Sequence, residues 1–431
     1  MVPPGVTDWC RWGLKVYEQD WLDREVLHLG ELTRSATLGD TWLDQIGSAA
    51  DAHGLSVQFC MAYPRHVLAS AGLPAVTQAR GGACAPAPFL SRGDDSPELS
   101  AARITPAPSF LPVQARASAD YQPGAYEQWA PLGITSLFAY ALGLAPSKDS
   151  YWSTSDQPGA DFYKPRVPRE AHPRLQAAVS TLSKGPVAPS DGIGYSDAEL
   201  INRACASDGT LLSPGRPATK LDDFIIADAF AAAAPAPSSH QAAVTPLGEV
   251  WLADTHVSGR RYAVVLSAEL RASYAMSPAQ LGYGATDALV ATESNSTDAF
   301  INVGGGRGLP LSACGSDDFA LWNVAPVETS GWALLGEVRT KWVGVSRARI
   351  DAVDAWVPRG GGGSGIAVRI RGAAGEAVEL VFAPPAPEEQ QPVAARRGLA
   401  AQRRGGATVR ARCTLPPSGR ATVRMPGGTC A

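Results

Sequence analysis

The sequence lacks any large excess of one charge: 37 lysines and arginines stand against 41 aspartates and glutamates, a formal net charge of −4. Nucleic acids and anionic membranes attract proteins through large positive fields, so neither is expected as a partner, and binding specificity must be local. Apolar runs of roughly 18 to 20 residues, the length of a membrane-spanning helix, are also missing. The opening MVPPGVTDWCRWG has neither the basic nor the apolar stretch of a secretory leader. Seven cysteines, at 10, 60, 84, 205, 314, 413 and 430, show no C-x-x-C spacing, which argues against zinc ribbons and thioredoxin-type redox motifs. Their odd number leaves at least one thiol unpaired in a monomer. The glycine-rich Gly304–Gly308 has no Lys-Ser/Thr ending and is not a phosphate loop.

With 431 residues, 45% of them apolar, there is room for two or three domains. Abundant Gly (44) and Pro (35) favour many turns and short elements. GLKVYEQDW, 13–21, reads as a strand ending in acidic and aromatic residues. A helix is predicted over 37–53, where Leu38, Trp42, Ile46 and Ala49 fall at helical spacing and Gly54 caps the end. LSVQFCM at 55–61 and LPAVT at 73–77 suit strands. Residues 134–144 read as a helix-to-strand passage that stops at Pro146, and 172–185 as a helix leading to a strand at 186–188.

This βα alternation predicts a parallel sheet whose five strands end in polar residues, as at the catalytic end of a barrel. The expected fold is α/β: the last five strands or so of a (β/α)8 TIM barrel, residues 1–225, followed by an all-β sandwich, 226–383. VWLADTHV, RYAVVLSA, FALWNVAP and GIAVRIRG supply the sandwich strands. Residues 384–431, rich in Ala, Arg, Pro and Gly, read as a low-complexity tail. A part-barrel exposes two sheet edges, which predicts poor solubility for this chain alone.

One segment breaks the pattern. Gln78-Ala79-Arg80 and Gln114-Ala115-Arg116 frame a proline-rich, aperiodic stretch, and removing 81–116, or equally 79–114, restores the continuous phrase AVTQARASADY. Its end, SFLPVQ, is what a pyrimidine-rich tract finishing in CAG encodes. Two readings stand: a retained intron, or an ordinary long loop.

Several phrases, taken in order, resemble the raffinose synthase and alkaline α-galactosidase group. They are Phe59-Cys60-Met61, Ala75-Val76-Thr77, Arg116 to Tyr121, Thr135-Ser136-Leu137-Phe138, Gly185-Pro186-Val187 with Ser190-Asp191, and Asp208-Gly209 with Gly215-Arg216-Pro217. The resemblance covers roughly residues 13–225 outside the insert. It implies a retaining glycoside hydrolase or transglycosidase acting on α-galactosides or a related glycan, with no cofactor or metal.

Carried over, the resemblance makes Asp20 the nucleophile and Asp120 the acid/base, with Arg116 contacting sugar or nucleophile. The family has a lysine where this chain has Glu18, so Glu18 competes with Asp20 as the reacting carboxylate. The family's paired aspartates are here Ala119-Asp120. Such chemistry needs an ionised and a protonated carboxyl about 5 to 5.5 Å apart, the first kept charged by an arginine and the second in a less polar setting. Lys148, Asp149, Trp152 and Asp191 follow later strands and are either sugar contacts or loop caps and salt bridges. A homologue that binds carbohydrate without turning it over is the alternative reading. His66, after the fifth family strand, reads as structural.

Overall fold

The computed structural model describes residues 14–70, 72–81, 114–158, 169–231, 247–305, 307–357, 364–385 and 405–431. Most of the predicted insert and residues 386–404 of the predicted tail lie outside these. The chain divides into two compact units, Met1–Asp120 with Phe138–Asp149, and Tyr121–Leu137 with Ser150–Ala431. The first unit ends well short of residue 225, the expected end of the βα region.

The first unit is built on a five-stranded parallel sheet: β1 (Val16–Gln19), β2 (Ser56–Ala62), β3 (Val76–Gly81), β4 (Gln114–Arg116) and β5 (Ala145–Ser147). Spatial order equals chain order. Right-handed crossovers that always step the same way put their helices on one face of a sheet. Helices α1 (Leu22–His28), α2 (Gly30–Arg34), α3 (Leu38–Ala52) and α4 (Pro64–Ser70) connect the first three strands. Leu22 and Leu43 pack with Val57, Phe59, Val76 and Ala79 in one apolar cluster.

Helix α3 forms where expected, but its buried side is Leu43, Gly47 and Ala50, one residue round from the predicted stripe. A Cβ on Gly47 would meet the Leu73 side chain at 3.4 Å, so the missing side chain lets the helix lie close. Its end is a Schellman cap: Gly54, at φ 64°, donates to the Asp51 carbonyl and Leu55 to the Ala50 carbonyl.

The opposite face of the sheet is polar. Glu18, Gln58, Gln78, Gln114 and Ala145 stand side by side in register across all five strands. Purely parallel sheets usually bury two apolar faces. Here an amide-rich row, half-buried at its three glutamines, replaces the second apolar face.

Two strand expectations change. Gln114–Arg116, assigned to the insert, is a strand of the sheet. Residues 186–188 are not; nearby, Pro189 makes an isolated parallel bridge with Tyr151 in the second unit. Helix α5 (Leu132–Ala141) leads into β5 as predicted, and α6 (Pro173–Leu182) and α7 (Ala198–Asn202) follow.

The second unit carries several antiparallel sheets. Strand β6 (Arg216–Lys220) precedes helix α8 (Asp222–Ala231). Next come β7 (Glu249–Val257), β8 (Arg260–Ala268), β9 (Tyr274–Met276), β10 (Leu289–Glu293), β11 (Ser296–Asn302), β12 (Leu309–Leu311) and β13 (Ala320–Pro326). Then follow β14 (Ala333–Gly336), β15 (Ile350–Trp356), β16 (Gly365–Arg371) and β17 (Ala377–Ala383). The last are β18 (Gly406–Ala407), β19 (Val409–Thr414), β20 (Arg420–Met425) and β21 (Thr429–Cys430).

The largest sheet runs β18-β11-β10-β13-β8-β7-β6. Alternate residues of its central strands enter different cores: Val250, Leu252, Ala263 and Val265 pack with Leu221 and Phe224 of the α8 region. Val257, Tyr262, Val290 and Ala325 join the sheets β14-β17-β19 and β15-β16-β20-β21. Burial on both faces explains why these strands read as nearly continuous apolar runs.

Residues 405–431 do not behave as a tail. Ala411, Cys413, Leu415, Ala421, Val423 and Met425 belong to that shared core, and Cys413 is disulfide-bonded to Cys430. Apolar residues alternating with arginines, as in VRARC and ATVRM, are a strand pattern that the surrounding composition obscured. No helix among the described residues is long and apolar enough to cross a membrane.

Candidate functional site

Alternation along β1 sends Tyr17 toward the helices, where it packs against the apolar cluster, and Glu18 and Asp20 toward the polar face. Glu18 is exposed and accepts a hydrogen bond from Gln58 Nε2 at 2.9 Å. Asp20 Oδ1 accepts from the Trp21 amide at 2.7 Å. On the adjacent strand Cys60 is buried, and one donor atom from each of Glu18, Asp20 and Cys60 lies within 4.8 Å of the others. Two carboxylates and a thiol so placed are the residues that could hold a cation here.

The backbone is strained beside both strand ends. Trp21 has φ 60° and Met61 φ 51°, a region that costs an L-residue about 1 to 3 kcal/mol and is concentrated at functional sites. Trp21 immediately follows Asp20 and Met61 immediately follows Cys60.

At the carboxyl end of β4, Arg116 is drawn inward, its side chain 8% exposed. It donates to Asp120 Oδ1 at 2.5 Å and lies 3.4 Å from Asp149 Oδ1. The loop is braced by Ser118, whose Oγ accepts from the Asp149 amide at 2.8 Å. The arginine therefore pairs with Asp120 and Asp149; the resemblance implied contact with sugar or nucleophile. Asp120 lacks the apolar setting expected of an acid: its side chain is 71% exposed and ion-paired. Lys148 is buried beside β5, not presented to solvent.

Trp152 and Asp191 belong to the second unit. Trp152 is buried and meets Tyr121 edge to face at 5.9 Å, so its ring is not an exposed sugar platform. Asp191 accepts from the Ser153 amide at 2.7 Å, Ser153 Oγ at 2.6 Å and Gln157 Nε2 at 2.8 Å. This is the loop-cap arrangement.

Two carboxylates went unnoticed in the sequence. Glu25, on α1, accepts from Gln19 Nε2 at 3.0 Å. Burial raises its pKa, the nearby Asp20 adds to this, and the Gln19 hydrogen bond opposes it. It is the carboxyl near Asp20 whose surroundings favour holding a proton. Glu170 is fully buried in the second unit and takes hydrogen bonds from Tyr121 Oη, the Gly124 amide and the His172 amide. Neither lies in a motif: one sits in an ordinary amphipathic stretch, the other directly after residues of mixed composition. His66 is buried, and its Nδ1 accepts from the Tyr63 amide at 3.0 Å, which agrees with a structural role.

No protein-family model and no curated protein matches this sequence.

Proposed function

We propose that the chain carries part of the catalytic region of a retaining glycoside hydrolase or transglycosidase for α-galactosides or a related glycan. In this reading the parallel sheet is a segment of a (β/α)8 barrel and the second unit includes a β-sandwich. The observation that carries the reading is the placement of carboxylates at the carboxyl ends of one parallel sheet. Glu18 and Asp20 end β1, while Asp120 and Asp149 flank a buried arginine beyond β4 and β5. Ligands of parallel sheets bind at those ends. The amide and carboxylate row on the polar face offers the paired donors and acceptors that sugar hydroxyls require.

Asp20 acts as nucleophile, with Glu18 as its rival, and Asp120 as acid/base. Arg116 fixes the loop bearing Asp120. Lys148, Asp149, Trp152 and Asp191 are assigned to the substrate side on the family resemblance, although Asp191 and Trp152 serve packing and capping within their own unit.

The test is turnover of an aryl α-galactoside and α-glucoside panel by the purified chain, supplied with the remaining strands of a barrel where these are found. Asp20→Asn is expected to lower kcat by roughly 10³-fold or more while the circular dichroism spectrum is unchanged. Equal activity in Asp20→Asn but loss in Glu18→Gln would transfer the nucleophile to Glu18. Sugar binding without turnover across the panel would favour the non-catalytic reading, to which the exposed, ion-paired state of Asp120 lends support.

A further inference from the structure

Gln78-Ala79-Arg80 in β3 and Gln114-Ala115-Arg116 in β4 are one phrase written twice, and the fold sets the copies side by side, parallel and in register. The first copy pairs on its other edge with β2, the second with β5. We propose that β3 and β4 are two copies of a single strand position. A chain lacking 81–116 then builds the same sheet with one strand there, and that shortening brings Asp20 and Asp120 into catalytic range. The last clause rests on the glycosidase reading.

The register supports the equivalence at the glutamine and the alanine. Gln78 lies opposite Gln58, and Gln114 opposite Ala145; Ala79 lies opposite Phe59, and Ala115 opposite Pro146. A fused strand would present the same glutamine to Gln58 and Ala145 and the same alanine to Phe59 and Pro146. Its arginine would lead directly into Ala117 to Asp120.

Helix order supports it as well. Parallel strands need a crossover, usually helical. Helices α1 to α3 join β1 to β2, α4 joins β2 to β3, and α5 precedes β5. With the two strands made one, α4 and α5 become the helices before and after that strand in the chain. Leu68 on α4 and Phe138 on α5, 51% and 65% exposed, then lie on helices that flank a single strand.

Spacing gives the change its consequence. Three strand-to-strand steps separate β1 from β4, about 14 Å at about 4.8 Å per step. Removing one strand leaves about 10 Å, which two aspartate side chains can narrow to the ~5 to 5.5 Å of a retaining pair; the longer span leaves them wider apart. The long form is then the slower form of the site.

The experiment compares three chains: the full chain, one lacking 81–116, and one lacking 81–113. The last keeps both phrases in tandem, three residues longer than the fused strand, and an odd offset turns alternate side chains to the wrong face. The chain lacking 81–116 is expected to melt cooperatively and at a higher temperature than the 81–113 deletion. Its crystal structure should show Gln78 between Gln58 and Ala145, and it should hydrolyse an aryl α-galactoside at least tenfold faster than the full chain. Melting no higher than that of the 81–113 deletion overturns the equivalence. A fused strand with equal, measurable activity in short and full chains overturns the spacing claim. A fused strand with no turnover in either chain upholds the equivalence and sinks the glycosidase reading.

Discussion

At the scale of single residues, burial decides more than motif. His66 sits in the first turn of α4, where burial, and next the charge of Arg65, lower its pKa from 6.5 to about 4, with Asp23 opposing. The folded state therefore holds the ring neutral where the unfolded chain would protonate it. The stability this contributes is complete above about pH 6.5 and is lost as pH falls through about 4, by roughly 3 kcal/mol in all. His66→Asn keeps an acceptor for the Tyr63 amide without titrating. Urea denaturation of that variant between pH 7 and 4 is expected to lose this part of the slope, and an unchanged slope would refute the assignment. Glu25 works in the opposite sense: its raised pKa gives stability that is present below the ordinary carboxyl range and lost as pH rises through the raised value.

The candidate catalytic residues were legible only as positions. That Asp20 ends a strand could be read from the residues of 13–21, whereas the place of Asp120 rested on the family resemblance, because Gln114–Arg116 read as part of the insert. That Arg116 turns to Asp120 and Asp149 could not, because the partner of a guanidinium depends on which loop folds over it.

At the scale of elements, period and caps were informative and composition misled. Gly54 marked the end of α3 because only a residue tolerant of positive φ closes a Schellman cap. The buried stripe of α3 was misjudged by one residue because Gly47, which carries no apolar side chain, makes the closest approach. Strands β19 and β20 were hidden because their arginines, and the prolines between and after them, resemble the adjoining segment, although every second strand residue is apolar.

A buried ion triad ties two connections of this region together. Arg349 Nε donates to Glu337 at 2.8 Å and Nη2 to Glu376 at 2.5 Å, with all three side chains 1 to 7% exposed. Arg349→Met would strand two buried carboxyls and is expected to cost about 3 to 5 kcal/mol at neutral pH. Burial raises the pKa of Glu337 and Arg349 opposes the rise, so without the arginine a proton can take its place. The loss should shrink on going from pH 8 to pH 5 in guanidinium titrations; a loss that grows with acid would contradict this account.

At the scale of the whole molecule, the sheet of the first unit carries a liability. Among the described residues β1 is paired on one side only, with Val16 50% exposed on it. An unpaired parallel edge is a template for another chain. Val16→Lys is expected to reduce light scattering of concentrated protein several-fold and to leave the melting temperature within about 2 °C, since exposed substitutions change little. If aggregation is unaffected, the edge is not its source.

The placement of the final strands bears on how the molecule comes into being. Strand β20 lies between β16 and β21, and β19 lies against β17, so segments made after residue 405 complete sheets begun about 70 residues or more earlier in the chain. A nascent chain holding β14 to β17 has apolar faces without their covers until residues 405–431 have been made, the condition under which intermediates associate wrongly. Premature stop codons before residue 405 should therefore yield insoluble second units, while the same stops leave the parallel sheet of the first unit fully encoded.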